Sequence, residues 1–153
     1  MASIYSLQRT QFIPARLEEV WNYFSSPGNL EHITPSYMRF RVTSPPYTGQ
    51  VYPGQIITYR VSPVLGIPLV WMTEIMHVSY LNYFVDEQRV GPYRIWHHEH
   101  RFQEVPGGVK MTDTVYYQLP FGWLGKLAHG LFVKKQLQTL FNYRYAVIEK
   151  VFG

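Results

Sequence analysis

Cysteine is absent from the 153 residues of the chain, which excludes disulfide bonds and thiolate chemistry and is compatible with a reducing compartment. No apolar stretch approaches the roughly 20 residues that would span a bilayer. Residues 1–12 also lack the basic region and apolar run that mark a signal peptide. We therefore expect a soluble, cytoplasmic protein.

Acidic residues are scarce at the end of the chain. Residues 1–122 hold nine basic and nine acidic side chains, so the net charge of +4 comes from residues 123–153, where Glu149 is the only carboxylate. A nucleic-acid-binding protein would more often show an arginine-rich stripe, so we expect no nucleic-acid partner. Lys126, Lys134 and Lys135 fit either a solvated helix face or contact with a partner or an anionic membrane surface.

Aromatic side chains are abundant, with 13 Tyr, nine Phe and four Trp making up 17% of the chain. This is more ring area than the core of such a small protein needs, so we expect some rings to line a pocket. A chain of this length forms one domain, residues 1–153, that buries about two thirds of the surface its unfolded form would expose.

The spacing of apolar residues predicts an α+β domain. Residues 3–12 alternate loosely as a first strand, and residues 17–24 and 27–33 have the spacing and proline positions of two short helices. Six further strands are predicted over residues 37–43, 55–64 and 69–78, the two halves of 84–102, and 109–119. Together they predict a curved, seven-stranded antiparallel sheet.

The last segment, from the motif PFGWLG to residue 152, has helical periodicity with a change of phase. One face carries Val133, Leu137, Leu140, Phe141, Val147, Ile148 and Val151, and nearly the opposite face carries Leu124, Leu127 and Leu131. Because the phase slips near Gly130, we predict a short helix, a break and one long amphipathic helix. Arg144 lies at the centre of its stripe, where it either extends its stem toward water or places a cation inside a cavity.

The stretch FVDEQRVGPYRIWHHEHRF, residues 84–102, carries three histidines and three carboxylates in a predicted hairpin. Two-residue turns at residues 91–92 and 107–108 would pair Glu87 with Trp96 and His100 with Val115. The inner face would then comprise Val85, Glu87, Trp96, His98, His100, Phe102, Asp113, Val115, Tyr117 and Leu119. The outer face would carry His97, Glu99, Arg101 and Gln103.

On this inner face, polar residues interrupt an apolar wall. The polar group comprises Glu87, His98, His100, Asp113 and Tyr117, and alternation in earlier strands adds Tyr59, Trp71 and Thr73. A buried network that only holds the sheet together is one explanation. A pocket that orients a mostly apolar ligand is the one we favour, and a metal site of His98, His100 and a carboxylate is a third. We expect no cofactor and no bound metal.

The order of strand, two short helices, strand meander and long helix resembles the helix-grip fold of the START/Bet v 1-like superfamily, which includes polyketide cyclases, aromatase-cyclases and lipid-transfer domains. The stretches VWNYFSSPGNLEHITP, GIPLVWMTEI and TDTVYYQLPFGWLG are similar to small stand-alone bacterial members called cyclase-like or cell-division-inhibitor-like. The resemblance implies a sheet wrapped around the long C-terminal helix, with an elongated cavity for a hydrophobic ligand. It transfers no catalytic residue.

The sequence thus predicts binding of a hydrophobic small molecule, of lipid, acyl or aromatic type. The candidate ligand-binding residues are Tyr59, Trp71, Thr73, Glu87, Trp96, His98, His100, Asp113, Tyr117 and Arg144. The alternative is a cyclase or dehydratase in which His98 or His100 is the general base and Tyr117 donates to an oxyanion. No pattern indicates a nucleophile for covalent catalysis. The sequence leaves open the identity of the ligand and the oligomeric state.

Overall fold

Seven strands form one antiparallel sheet in the computed structural model, which describes residues 3–63 and 65–153. The strands are β1 Tyr5–Ile13, β2 Arg41–Val42, β3 Ile56–Val61, β4 Leu69–Ser79, β5 Tyr83–Val90, β6 Ile95–Val105 and β7 Gly108–Gln118. Their spatial order is β1-β7-β6-β5-β4-β3-β2, so β2 to β7 form a meander and β1 closes beside β7. The predicted fold class is confirmed.

Helix α1, Leu17–Phe24, follows β1 as predicted, and two short 3₁₀ helices, Pro27–Glu31 and Ser36–Met38, come after it. The buried ring of Trp21 on α1 meets the rings of Phe84 and Phe102 edge-on, at centroid distances of 5.7 and 5.4 Å. Aromatic pairs favour this geometry. Helix α1 therefore closes one end of the sheet's concave face.

Two of the predicted strands are shorter than the sequence suggested. The strand predicted over residues 37–43 is reduced to β2, because a 3₁₀ helix precedes it and Arg39 adopts a left-handed backbone with φ of 49°. The strand predicted over residues 55–64 is observed as β3, Ile56–Val61, and residue 64 lies outside the described residues.

The C-terminal segment stays helical where a break was predicted. Helix α2, Trp123–Ala128, continues through a π-helical turn, His129–Val133, into helix α3, Lys134–Phe152. A π turn places an extra residue in the helix, and this accounts for the change of phase near Gly130 without interrupting the backbone. No helix in the described part of the chain is long and apolar enough to cross a membrane.

The turn between β5 and β6 is longer than predicted and changes which side chains face inward. Four residues, 91–94, connect the strands, and Glu87 pairs with His97 rather than with Trp96. Because side chains alternate along a strand, this shift of one residue moves Glu87 to the outer face and brings Asp86 to the inner face, opposite His98.

The turn between β6 and β7 also differs from the prediction, but without changing the faces. Residues 106–107 form the turn, and Trp96 pairs with Tyr117 rather than with Leu119. A shift of two residues preserves the alternation. The inner-face placement of His98, His100 and Asp113 is therefore as predicted, and His100 is paired directly with Asp113.

Two glycines of the C-terminal helical segment give a first prediction. Gly130→Ala should raise the free energy of unfolding by about 0.5–1 kcal/mol, because a Cβ there meets no heavy atom within 4 Å and alanine loses less backbone entropy in a helix. Gly125→Ala should lower it, because the new Cβ would collide with the carbonyl oxygen of Pro120. Urea denaturation measures both changes, and changes of the same sign would contradict the close packing of α2 on residue 120.

Candidate ligand-binding site

A cavity of about 450 Å³ lies between the concave face of the sheet and the C-terminal helices. Strands β3, β4 and β6 contribute Tyr59, Trp71, Thr73 and Trp96 to its wall. The helices contribute mainly apolar side chains, among them Leu124, Phe132, Val133, Leu137 and Leu140. Small-molecule sites typically occupy about 300–1,000 Å³ and are mostly apolar with a few convergent polar groups.

His98 and His100 form a stacked pair on the cavity wall. Both are buried, and their ring centroids lie 3.7 Å apart with the planes 28° from parallel. The ring of Phe84 also stacks on His100, at 4.2 Å. Along the inner face of β6 these histidines stand between Trp96 and Phe102, which belong to two separate apolar clusters. The polar patch is thus enclosed by apolar packing at both ends.

Two carboxylates hold the histidine pair from the sheet. His98 donates from Nε2 to Oδ1 of Asp113, and His100 donates from Nε2 to Oδ2 of Asp86, both at 2.8 Å. Nδ1 of His100 lies 3.3 Å from the same Asp113 oxygen, close enough for charge attraction but without hydrogen-bond geometry. Charge-assisted contacts of this kind are what a buried carboxylate requires. We call Asp86, His98, His100 and Asp113 the His–Asp network.

The environment separates the acid–base properties of the two imidazoles. Burial and repulsion from His100 lower the pKa of His98, despite its hydrogen bond to Asp113. Burial would also lower the pKa of His100, but the attraction of Asp113 and Asp86 outweighs burial and raises it. A single proton added to the pair therefore resides on His100 and leaves His98 neutral.

The same contacts keep the carboxylates ionised. Burial alone would raise the pKa of Asp86 and of Asp113. The hydrogen bonds and charges of the histidines outweigh this effect and hold both pKa values below the usual range.

Arg144 on α3 reaches the cavity from the opposite wall. Its guanidinium carbon lies 5.0 Å from the centroid of the Phe141 ring, and its buried Nε has no hydrogen-bond partner among the described residues. Burial lowers the pKa of Arg144, while Asp113 and Asp86 act in the opposite direction. A guanidinium stays protonated in proteins, so of the two explanations for Arg144, the cation inside a cavity describes its position.

The hydroxyl groups of Tyr59 and Thr73 add polar atoms to the cavity wall. The buried Tyr59 hydroxyl lies 3.3 Å from Oγ1 of Thr73, which in turn lies 3.4 Å from the carbonyl oxygen of Ile57. Burial raises the pKa of Tyr59, so its hydroxyl remains a donor at neutral pH. Trp71 and Trp96 meet edge-on at 5.3 Å and provide aromatic surface beside these groups.

Glu87 is not part of the site, which corrects the sequence prediction. Its carboxylate Oε2 lies on the outer face, 3.6 Å from Nδ1 of His97. Asp86 occupies the inner position, bonded to His100 and lining the cavity. Alternation would have identified Asp86 if the pairing of β5 with β6 had been assigned one residue further along, with Asp86 opposite His98.

Tyr117 and Asp113 lie behind the cavity wall rather than in its lining. The Tyr117 hydroxyl is 2.8 Å from Nε2 of His129, and the His129 ring stacks on Tyr5 at 3.5 Å. The Tyr117 hydroxyl therefore takes part in a polar contact with His129 that is separate from the His–Asp network. His129 carried no signal in the sequence, because its position depends on the π turn. Asp113 contacts the cavity only through the histidines that it holds.

The His–Asp network contains residue types that bind metal ions, but the lone pairs of its two imidazoles do not point to one common position. Ligand atoms of Asp86, His98 and His100 lie within 4.8 Å of one another. Imidazoles coordinate through lone pairs in the ring plane, about 2 Å from the ion. Two rings stacked face to face direct these lone pairs into nearly parallel planes, which one ion cannot share. Both Nε2 atoms are also engaged by carboxylates, so the geometry suits a hydrogen-bonded network.

The register of β5 gives a second prediction, with a matched pair of neighbouring acids. Asp86→Ala should lower the free energy of unfolding by about 3 kcal/mol, because it leaves the buried Nε2–H group of His100 without its acceptor and removes one partner of a buried pair. Glu87→Ala should cost less than about 1 kcal/mol, since its contact with His97 is exposed to water. Urea denaturation at neutral pH compares them, and a larger loss for Glu87→Ala would show that the register is shifted.

Comparisons with known proteins support the fold and nothing finer. No protein-family model matches the chain, and no curated protein matches it in sequence. A solved structure from Mycobacterium smegmatis superposes with a TM-score of 0.66 at 18% identity, over 95% of this chain and 92% of that one. Major latex-like protein 151 from Panax ginseng superposes with a TM-score of 0.69 at 11% identity, over 97% of both chains.

A protein from Thermus thermophilus gives a TM-score of 0.65 at 18% identity, over 97% of this chain and 100% of that chain. At such identities a structural likeness establishes architecture, and function has to be argued from the site. The chain therefore has a helix-grip fold, in which a curved seven-stranded antiparallel sheet packs against a long C-terminal helix.

Proposed function

We propose that the protein binds a hydrophobic small molecule, of lipid, acyl or aromatic type, in the internal cavity. The observation that carries this proposal is a cavity of about 450 Å³ with a mostly apolar wall and a compact polar end formed by Asp86, His98, His100 and Arg144. An apolar wall favours an apolar ligand because each Å² of apolar surface removed from water contributes about 25 cal/mol.

The polar end selects for a ligand with an acceptor or anionic group. Both carboxylates of the network are already engaged by imidazole N–H groups. The buried Nε of the Arg144 guanidinium has no hydrogen-bond partner among the described residues, and leaving such a donor unpaired is costly. A carboxylate, sulfonate or phosphate at the polar end would satisfy it, while the rest of the molecule lies against Trp71 and Trp96.

Two fluorescent probes that differ only by a sulfonate test this proposal. We expect the anionic 1-anilinonaphthalene-8-sulfonate to bind more tightly than the neutral N-phenyl-1-naphthylamine. Arg144→Gln should weaken binding of the sulfonate probe about tenfold or more and leave binding of the neutral probe unchanged, because only the sulfonate loses a charge-assisted hydrogen bond. Fluorescence titration gives both dissociation constants.

Matched variants separate the cavity from the surface. Arg101→Gln removes an arginine on the outer face and should change the affinity of neither probe. Ala128→Trp fills part of the cavity and should weaken binding of both probes. Native mass spectrometry of freshly purified protein should also detect a co-purifying apolar molecule. If both Arg144→Gln and Ala128→Trp left the probe affinities unchanged, the probes would bind outside the cavity, which would count against the proposal.

A second candidate function, cyclisation or dehydration of a polyketone-like substrate, is supported by the opposed pKa shifts of the stacked histidines. A neutral His98 beside a protonated His100 has the form of a base and acid pair. Nε2 of His98 donates to Asp113, which leaves Nδ1 as the basic atom, and Nδ1 has no partner among the described residues. The Asp113 carboxylate would orient this base and stabilise its protonated form.

His97 provides the matched control for this second candidate. His98→Gln should reduce turnover of a linear aryl triketone to its cyclised, dehydrated product by about 10²–10⁴-fold, as expected for loss of a general base. Binding of the neutral naphthylamine probe should persist. His97→Gln lies on the outer face and should retain full turnover, which liquid chromatography with mass detection measures. Unchanged turnover in His98→Gln would exclude this role.

A further inference from the structure

The most exposed large apolar side chains of the described residues lie on a few neighbouring segments. Leu65, Phe121, Trp123 and Leu131 are 91%, 80%, 73% and 71% exposed, above every other large apolar residue of the described chain. Leu65 belongs to the connection between β3 and β4, Phe121 to the connection between β7 and α2, and the other two to the C-terminal helical segment. Such clustering of apolar surface usually marks an interaction site.

These segments surround the opening of the cavity. Phe121, Leu124 and Phe132 are exposed to solvent and also line the cavity, so they form its edge. The connection between β3 and β4 is held beside α3, because Gln136 donates from Nε2 to the carbonyl oxygen of Pro63 at 2.6 Å. We call Leu65, Phe121, Trp123, Leu124, Leu131 and Phe132 the apolar rim.

The segments that carry the apolar rim hold basic but no acidic side chains. Residues 61–73 and 114–148 contain no Asp or Glu. Lys126 lies among the rim residues of α2, and Lys134 and Lys135 begin α3 directly after Phe132 and Val133, all three exposed. Aromatic and leucine side chains surrounded by lysines have the composition of segments that lie in a membrane interface.

We propose that the apolar rim docks the mouth of the cavity onto an anionic lipid bilayer. The rim side chains enter the headgroup region, and the three lysines contact lipid phosphates. A second copy of the chain fits the same rim less well, because a twofold contact would bring each set of lysines against its equivalent. The proposal goes beyond ligand binding, since docking can be measured whether or not the cavity is occupied.

Vesicle sedimentation tests the charge requirement. The protein should sediment with phosphatidylcholine vesicles that contain phosphatidylglycerol and remain in solution with phosphatidylcholine alone. Lys134→Gln combined with Lys135→Gln should weaken binding about 30-fold, since each lysine at an anionic surface contributes about 1 kcal/mol. Lys110→Gln combined with Lys150→Gln removes the same charge elsewhere on the surface and should leave binding unchanged.

Trp123 supplies a direct readout of insertion. Its emission should shift to the blue on vesicle binding, because Trp123 is exposed, whereas Trp21 and Trp96 are buried and Trp71 is half-buried against Tyr93 and Trp96. Trp123→Phe should keep the binding and lose most of the shift. Leu131→Ser should weaken binding about tenfold, whereas Ile56→Ser, at an exposed apolar position at the end of β3 away from the rim, should not. Circular dichroism confirms that each variant is folded.

Three results would overturn the proposal. Two of them are a lack of sedimentation with anionic vesicles and equal binding to anionic and neutral vesicles. The third is a dimer that sedimentation velocity detects and Leu131→Ser dissociates, in a protein that does not bind vesicles. The last result would identify the rim as an interface between copies of the chain. Binding of the naphthalene probes in the cavity is measured without vesicles, so failure of docking and failure of ligand binding are distinguishable.

Discussion

The buried His–Asp network is the interaction on which the rest of the structure depends. Placing two carboxylates and two imidazoles inside an apolar wall would cost several kcal/mol per group if any of them lacked a partner. Asp86, His98, His100 and Asp113 come from three adjacent strands and find their partners only in the observed register. A slip of one residue in either hairpin would leave a buried charge alone. The network therefore specifies the alignment of β5, β6 and β7.

The C-terminal helical segment meets this network with the same alternation of apolar and polar groups. Leu137 and Phe141 pack in one apolar cluster, Ile148 packs in the other, and Arg144 stands between them. The π turn then rotates the helix, so that α2 presents Leu124 to the edge of the cavity while α3 presents its stripe to the sheet. One helical segment in two phases thus both closes the core and borders the opening.

The sequence predicted the fold because periodicities of two and 3.6 survive errors in turn length, whereas the site depends on those turns. The predicted register between β6 and β7 was wrong by two residues, and His98, His100 and Asp113 still faced inward as predicted. The predicted register between β5 and β6 was wrong by one residue, which exchanged Asp86 for Glu87. Neither the contact between Tyr117 and His129 nor the continuity through Gly130 could be derived, because both arise from a π turn that apolar spacing reports only as a phase slip.

If the proposed ligand binds in the cavity, the geometry of the polar end would couple the charge of the ligand to the proton on the histidine pair. His100 is already the imidazole that favours protonation, owing to Asp86 and Asp113. An anion held by Arg144 at the same end of the cavity would add negative charge near His100 and raise its pKa further. By linkage, a ligand that favours protonated His100 binds more tightly when that proton is present. A neutral ligand of the same shape would lack this coupling, so on the proposed function the polar end would distinguish ligands by charge as well as by shape.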